Sequence, residues 1–394
     1  MPSPAIPPES VEKFPAERLL GPFAALPEPR VERTRRHLLV DIVVIGLLTV
    51  FIGGEGWEDM AEFGSLREQW LRQFLALPHG IPSPDTFRRV FAALDPVAFQ
   101  QCFTRWVEHL VTDARRAGRV IPIDGKTLRG SFDTAAAQSP LHLVHAWLAE
   151  GGLLLGQLAT EAKSNEITAI PQLVKVLDVK DAIVTIDAMG CQKEIAQAIV
   201  EAQADYVLAL KGNQELFHRE VVELFEDVVK NGKAAGVASD FAVTTDGDHG
   251  RIEVRRVWTV SEVSWFAEKD KWAKLASLAL VESERTLGDQ TTRERRYYIS
   301  SLEQPTAAEM GRVIRSHWSV ENQLHWSLDV AFAEDASRIR RDHGPENVAM
   351  LRRMAVQLLK RDKISKRGLA AKTRRAALDP DYLLNVLLGG LGSN

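Results

Sequence analysis

Asp124 and Asp187 have the clearest chemical potential in this chain. Each closes a short apolar run, RVIPID and AIVTID, with the composition of a buried strand. A small residue lies close to each acid, Gly125 in IPIDGK and Gly190 in IDAMG, which leaves room for a metal ion and a phosphate backbone. A lone Asp after a strand is most often a turn or helix cap. Two in the same setting point elsewhere, because open α/β sheets bind ligands in the crevice beyond the carboxyl ends of their strands. Two carboxylates there repel each other unless a cation lies between them. A third carboxylate would complete a two-ion site of the kind that clamps the attacking and leaving oxygens of phosphoryl transfer. All-oxygen ligation implies Mg2+ or Mn2+ as the two ions.

Spacing alone leaves the third acid open. His317, Glu321, His325 and Asp329 follow one another at i+4 steps, which makes a slowly drifting stripe on a helix, and Glu334 and Asp335 come soon after. A separate His/carboxylate metal site is the weaker alternative, since the pairs are not Glu-x-x-His and no second helix supplies a matching set. Trp318 and Trp326 on the same helix are read as core in preference to base-stacking residues.

The elements that must position these acids change character along the chain. Residues 1–30 are Pro-rich and read as a flexible tail. Residues 31–117 read as a helical domain: LLVDIVVIGLLTVF, EDMAEFGSLREQWLRQFLAL and AFQQCFTRWVEHLVTDARRA carry apolar residues at helical spacing. SPDT and the Asp95–Pro96 pair mark helix starts. Residues 118–233 hold a strand (RVIPID), a hairpin around Gly151–Gly152, and then helix, strand, helix and strand, which implies an α/β layer fold with a mixed sheet. Residues 234–301 turn to strands again, and residues 302–394 hold the long helix from Thr306 to Asp329 and a basic helical end.

Bulk properties set limits. The chain has 394 residues, 45% hydrophobic and 26% charged, with formal net charge −4, as expected of a globular protein of two or three domains. The negative sum argues mildly against nucleic acid, but charge is unevenly spread: Arg338 to Arg375 holds thirteen Lys or Arg against three acids. That run and Arg30–His37 are either solvated helix faces or phosphate tracks. Cys102 and Cys191 match no zinc spacing and are expected as reduced thiols in a cytoplasmic protein. Leu38–Gly53 is too short and too interrupted for a membrane span, and MPSPAIPPES lacks the basic start of a signal peptide.

Four segments together carry a resemblance: IPIDGKTLRGS, IVTIDAMGCQKEIAQAIVEAQADYVLALKGNQ, HGRIEVR, and RSHWSVENQLHWSLDVAFAEDASRIRRDHGPENVAMLRRMA. In this order they resemble the DDE transposases of bacterial insertion sequences, in the H-repeat-associated branch. The helical stretch with GGEGWEDMAEFG and GIPSPDTFRRVFAALDP is similar to that branch's N-terminal domain. The resemblance implies a ribonuclease-H-like core with a β-rich insertion, and Asp124, Asp187 and Glu321 as the catalytic, metal-holding triad. It implies double-stranded DNA as substrate, at transposon ends and target, and a homodimer in the DNA complex. Lys126, Arg129, Lys211, Asn213, His249, Arg251, His317 and His325 are the candidate DNA contacts. Related transposases often carry Tyr and Arg before the Glu and Lys after it; Ile314, His317 and Leu328 stand at those spacings here. The competing functions are a nuclease of the same core without strand transfer, a catalytically inactive DNA-binding remnant, and a small-molecule metal hydrolase.

Overall fold

In the computed structural model, nine strands form one mixed sheet in the order β3-β2-β1-β4-β5-β9-β8-β7-β6. The structure describes residues 21, 23–108, 118–133, 139–160, 166–232, 236–248, 250–266 and 268–390. Most of the expected N-terminal tail, and His249, lie outside them. The chain divides into two compact units, one of Met1–Thr112, Thr127–Leu141 and Trp326–Asn394, the other of Asp113–Lys126 and His142–His325.

The sheet belongs to the second unit. β1 (Val120–Thr127) pairs in parallel with β4 (Ile183–Ile186), and β4 in parallel with β5 (Asp205–Leu210). β2 (His142–Leu148) and β3 (Leu153–Thr160) form the expected hairpin, with Gly151 and Gly152 at positive φ where a side chain would be strained. α6 (Glu166–Val176) and α7 (Lys193–Glu201) follow β3 and β4, and α8 (Glu215–Asn231) follows β5. The strands of the 234–301 block are β6 (Ser239–Asp248), β7 (Arg251–Val260), β8 (Ser277–Leu287) and β9 (Gln290–Ser300). They extend the first five strands, because β9 pairs antiparallel with β5 through Val207↔Ser300 to Leu210↔Tyr297.

Two expectations about length need correction. β1 does not end at Asp124 but runs on to Thr127, although its pairing with β4 stops at Ile123↔Ile186. The long helix is also not uniform: α9 (Ala307–His317) leads into a π-helical turn, Val320–His325, before α10 (Trp326–Phe332). α9 starts at a reciprocal cap in which Thr306 Oγ1 accepts the Glu309 N–H and Glu309 Oε2 accepts the Thr306 N–H. Its inner residues Ala307, Met310, Val313 and Ile314 pack on Val120, Ile183, Val207, Val257, Ala279 and Tyr298. These strand residues share one face of the sheet. Because side chains alternate along a strand, that is also the face of Asp124 on β1 and of Thr185 and Asp187 beside β4. α6 packs against β2, β3 and α7.

The first unit is helical: α1 (Leu39–Phe51), α2 (Trp57–Leu66), α3 (Glu68–Leu71), α4 (Pro84–Ala93), α5 (Pro96–Glu108), α10, α11 (Gly344–Arg361), α12 (Leu369–Leu378) and α13 (Pro380–Gly390). α1 is buried along almost its whole length, as the apolar run predicts, and its one acid, Asp41, accepts the Leu77 N–H. No helix among the described residues is long and apolar enough to cross a membrane. Ser83 and Asp95 act at the helix starts assigned to them, accepting the N–H of Thr86 and Val97. α11 packs against α1, α4, α5, α10, α12 and α13. Its Arg353 forms a forked pair with Glu334 (2.6 and 3.3 Å) in which both side chains are fully enclosed. The basic run is thus partly structural. Arg352 and Arg353 are buried, and Lys372 donates to the Leu359 and Asp362 carbonyls at the end of α11.

Candidate metal centre

The register brings the two acids together. Ile123 and Ile186 are the last paired residues of β1 and β4, and the next residue on each strand is an Asp. Both carboxylates therefore project from the same sheet end on the α9 face. Burial is the main force on Asp124, whose carboxyl is pushed up to about 6; the Asp187 and Glu166 charges push the same way, while His325 and the Gly125 N–H oppose them. The sequence expectation of mutual repulsion is met in that balance. Asp187 also does what an Asp after a strand ordinarily does: its Oδ1 accepts the N–H of Met189 (3.1 Å) and of Gly190 (3.4 Å). Neither bond uses Oδ2. Gly190 is required there, since a Cβ would lie 2.2 Å from Ile186 Cγ2.

The π turn supplies the remaining donors. Its i→i+5 geometry widens the helix by about one residue per turn, and such turns recur at functional sites. His325 Nδ1 lies 2.9 Å from Glu321 Oε2 and 3.7 Å from Asp124 Oδ2. One donor atom each of Asp124, Glu321 and His325 lies within 4.8 Å of the others, a spacing that suits a metal ion. Asp187 is outside this group of three. Glu321 is half exposed, while His325 is 3% exposed. The bond from His325 holds the Glu321 carboxyl below its ordinary range, with Lys126 adding a smaller effect.

Behind the centre stands a second imidazole. His325 Nε2 lies 3.2 Å from His145 Nδ1, the rings meet edge to face at 5.2 Å, and His145 is completely buried on β2. On the other face of β1 is a buried pair, His142 Nε2 to Glu166 Oε1 at 2.6 Å. Gly125 makes that approach possible, because a Cβ there would meet these two atoms at 2.4 and 2.3 Å. Sequence reasoning missed His145, His142 and Glu166. Their only advance signal was the presence of polar residues at buried strand and helix positions.

The expected DNA contacts fall into different settings. Lys126, two residues after Asp124 and so on its face, is buried. His317 is hydrogen-bonded to Thr185 Oγ1 (3.0 Å), and packing around it pushes its pKa down to about 4, so it is neutral at pH 7. Asn213 donates to the Ala188 carbonyl (2.8 Å) and thereby braces the turn held by Asp187. Lys211 is exposed just after β5. Arg251 lies 3.7 Å from Glu253 on β7. Arg129, in the first unit, lies 3.4 Å from Asp335. His325, read from sequence as a DNA contact, is enclosed and bonded within the centre. The core expectation for Trp318 and Trp326 fails: both are exposed, at 44% and 61%, and Trp318 lies under the Arg296 guanidinium at 4.7 Å. Among the rival third acids, Glu334 is committed to Arg353 and Asp335 is paired with Arg129.

A donor set of carboxylates and an imidazole fits a hard or borderline divalent cation. The raised pKa of Asp124, set mainly by burial, marks a carboxylate whose ionised form a bound cation would stabilise.

Comparison with known proteins places the chain in a family. The model of the Transposase DDE domain matches residues 115–358, and that of the DDE_Tnp_1-associated region matches residues 20–107. The chain belongs to the DDE transposase family. Among relatives of this DDE transposase, the Putative transposase YncI of Escherichia coli is 39% identical over 94% of both chains. The H repeat-associated putative transposase YhhI of Escherichia coli is 37% identical over 95% of this chain and 98% of its own. A protein of Xanthobacter autotrophicus named only for its place in the dhlA 3′ region is 45% identical over 71% of this chain and 92% of its own. Membership makes DNA the expected substrate and a divalent metal the expected cofactor of the acidic centre.

Proposed function

We propose that this protein is a DNA transposase that hydrolyses a phosphodiester at each transposon end and joins the freed 3′-hydroxyl to target DNA. The supporting observation is that Asp124 and Asp187 follow the last paired residues of neighbouring parallel strands, while Glu321 and His325 come within metal-ligand spacing of Asp124; we take the order β3-β2-β1-β4-β5 as that of a ribonuclease-H-like core. In this reading β6–β9 are the family's β-rich insertion, joined edge-on to the core through β9.

Asp124, Asp187 and Glu321 are the carboxylates that would hold the metal ions. Two Mg2+ or Mn2+ ions bound there would supply an activated water or 3′-hydroxyl and charge neutralisation at the leaving oxygen. The chain's own residues prepare that site. Gly125 leaves room for the His142–Glu166 pair behind β1, and Gly190 leaves room for Ile186 at the turn that holds Asp187. The Met189 and Gly190 N–H groups fix Asp187 through one oxygen, so its other oxygen has a set direction. Thr185 and neutral His317 add no charge to the acid face. Lys126, inside the same face, offsets part of the negative charge before cation or DNA arrives. Exposed Lys211 and Arg129 are proposed as phosphate contacts, and pairing of two ends calls for a homodimer on DNA.

The test uses purified full-length protein, DNA bearing the element's ends, and Mn2+. Asp124→Asn, Asp187→Asn and Glu321→Gln should each lower end cleavage by roughly a hundredfold or more, the loss expected when several kcal/mol of charge stabilisation goes. End binding in a gel-shift assay should survive. Undiminished cleavage by the Asp187 variant would remove it from the triad. Cleavage without joining of precut ends would favour a nuclease.

A further inference from the structure

We infer that His325, steered from behind by His145, is a nitrogen ligand of the metal centre, so that the site takes Mn2+ in preference to Mg2+. This rests on the acid-centre reading above and adds a donor that a triad of carboxylates does not contain.

The geometry is specific. His325 Nδ1 faces both Glu321 (2.9 Å) and Asp124 (3.7 Å), and the three donors fall within 4.8 Å of one another. The imidazole cannot turn away to water, because its side chain is only 4% exposed and its other nitrogen is held by His145. A metal-ligating histidine usually has its second nitrogen fixed by a carboxylate, carbonyl or water, and losing that partner weakens the metal site. Here a second imidazole takes that place.

The pair also answers a question of protons. With no ion, Nδ1–H of His325 donates to Glu321, so its Nε2 accepts the Nδ1–H of His145. With an ion, Nδ1 must offer a lone pair. His325 then carries its proton on Nε2 and donates it to His145 Nδ1, while His145 carries its own on Nε2. The hydrogen bond between the two rings is kept in both arrangements, with donor and acceptor exchanged. Gln157 sits across from His145 in the strand register, on the same face. It is 3% exposed, and among the described residues neither its amide oxygen nor its nitrogen has a hydrogen-bond partner.

Imidazole favours first-row transition ions, whereas Mg2+ is bound almost entirely by oxygen. His325 therefore adds more to Mn2+ binding than to Mg2+ binding.

The experiment is pulsed electron paramagnetic resonance of Mn2+ on the full-length protein, with and without end DNA, alongside Mn2+ and Mg2+ titrations. The wild-type spectrum should show 14N modulation from a directly bound nitrogen. His325→Gln should lose that modulation while Mn2+ stays bound through Asp124. Its Mn2+ affinity should fall roughly tenfold and its Mg2+ affinity less, in line with the loss of one ligand of a mixed set. His145→Leu should lower Mn2+ affinity by about tenfold or more, and His145→Asn, whose amide sits where Nδ1 does, should restore most of it. Circular dichroism separates either result from misfolding. Mn2+ that is released by Asp124→Asn yet shows no 14N modulation in the wild type would overturn this inference and leave the acid centre standing. Unchanged Mn2+ affinity in His145→Leu would remove His145 from it. No Mn2+ binding at all, even on end DNA, would bring down the acid-centre reading itself.

Discussion

Asp124 shows how a single carboxyl links stability to function. Its folded pKa of about 6 lies above the ordinary value of 3.8, so the metal-free protein is favoured at low pH. That advantage, at most about 3 kcal/mol, is fully present below 3.8 and is lost as pH rises to about 6. Melting temperatures in EDTA should therefore fall between about pH 4 and pH 7, Mn2+ should reverse the fall, and Asp124→Asn should flatten both responses. A wild-type melting temperature in EDTA that rises over this range would contradict the assignment. At the neighbouring position, Gly125→Ala would force a methyl group against Glu166 Oε1 and His142 Nε2 at 2.3 and 2.4 Å. Displacing that buried pair should cost about 1–3 kcal/mol in urea unfolding. Before the fold was in view, Gly125 was legible only as a small neighbour. The atoms that require it come from β2 and α6, and no local pattern announces them.

At the level of elements, legibility tracked locality. The apolar runs of β1, β4 and β5, the Gly turn of the β2–β3 hairpin and the Ser83 and Asp95 helix starts were readable, because each depends on residues a few positions apart. The joining of β9 to β5 was not, since Val207 and Ser300 meet only in the finished sheet. Nor was the π turn: i+4 spacing of His317, Glu321 and His325 suits an ordinary helix equally well, and the burial of Val320, Leu324 and His325 in the wider turn exists only in the folded chain. The same spacing made the stripe visible but could not rank its members. Glu321 stood out by resemblance; in the folded chain it is the carboxylate bonded to His325. The approach of α9 to the sheet depends on its first turn. Thr306→Ala removes the hydroxyl that caps the Glu309 N–H and should cost about 1 kcal/mol of stability by calorimetry. An unchanged unfolding temperature would mean that core packing alone fixes that helix.

For the molecule as a whole, the two units rest on different supports. The second is held by a sheet whose strand pairs bury apolar faces against α9. The first is organised around α11, where the Arg353–Glu334 pair is fully enclosed. Removing one partner of such a pair leaves an uncompensated buried charge, so Glu334→Ala should cost about 3–5 kcal/mol in guanidinium unfolding. The double change Glu334→Leu with Arg353→Met should cost much less. Equal losses in the single and double variants would show that volume, not charge, decides. The order of the chain has one more outcome. Asp124 and Asp187 lie in the first half, whereas Glu321 and His325 come only after β9. A ribosome that has already made both aspartates has therefore not yet made two of the three clustered donors, and the candidate metal centre cannot assemble until late in synthesis.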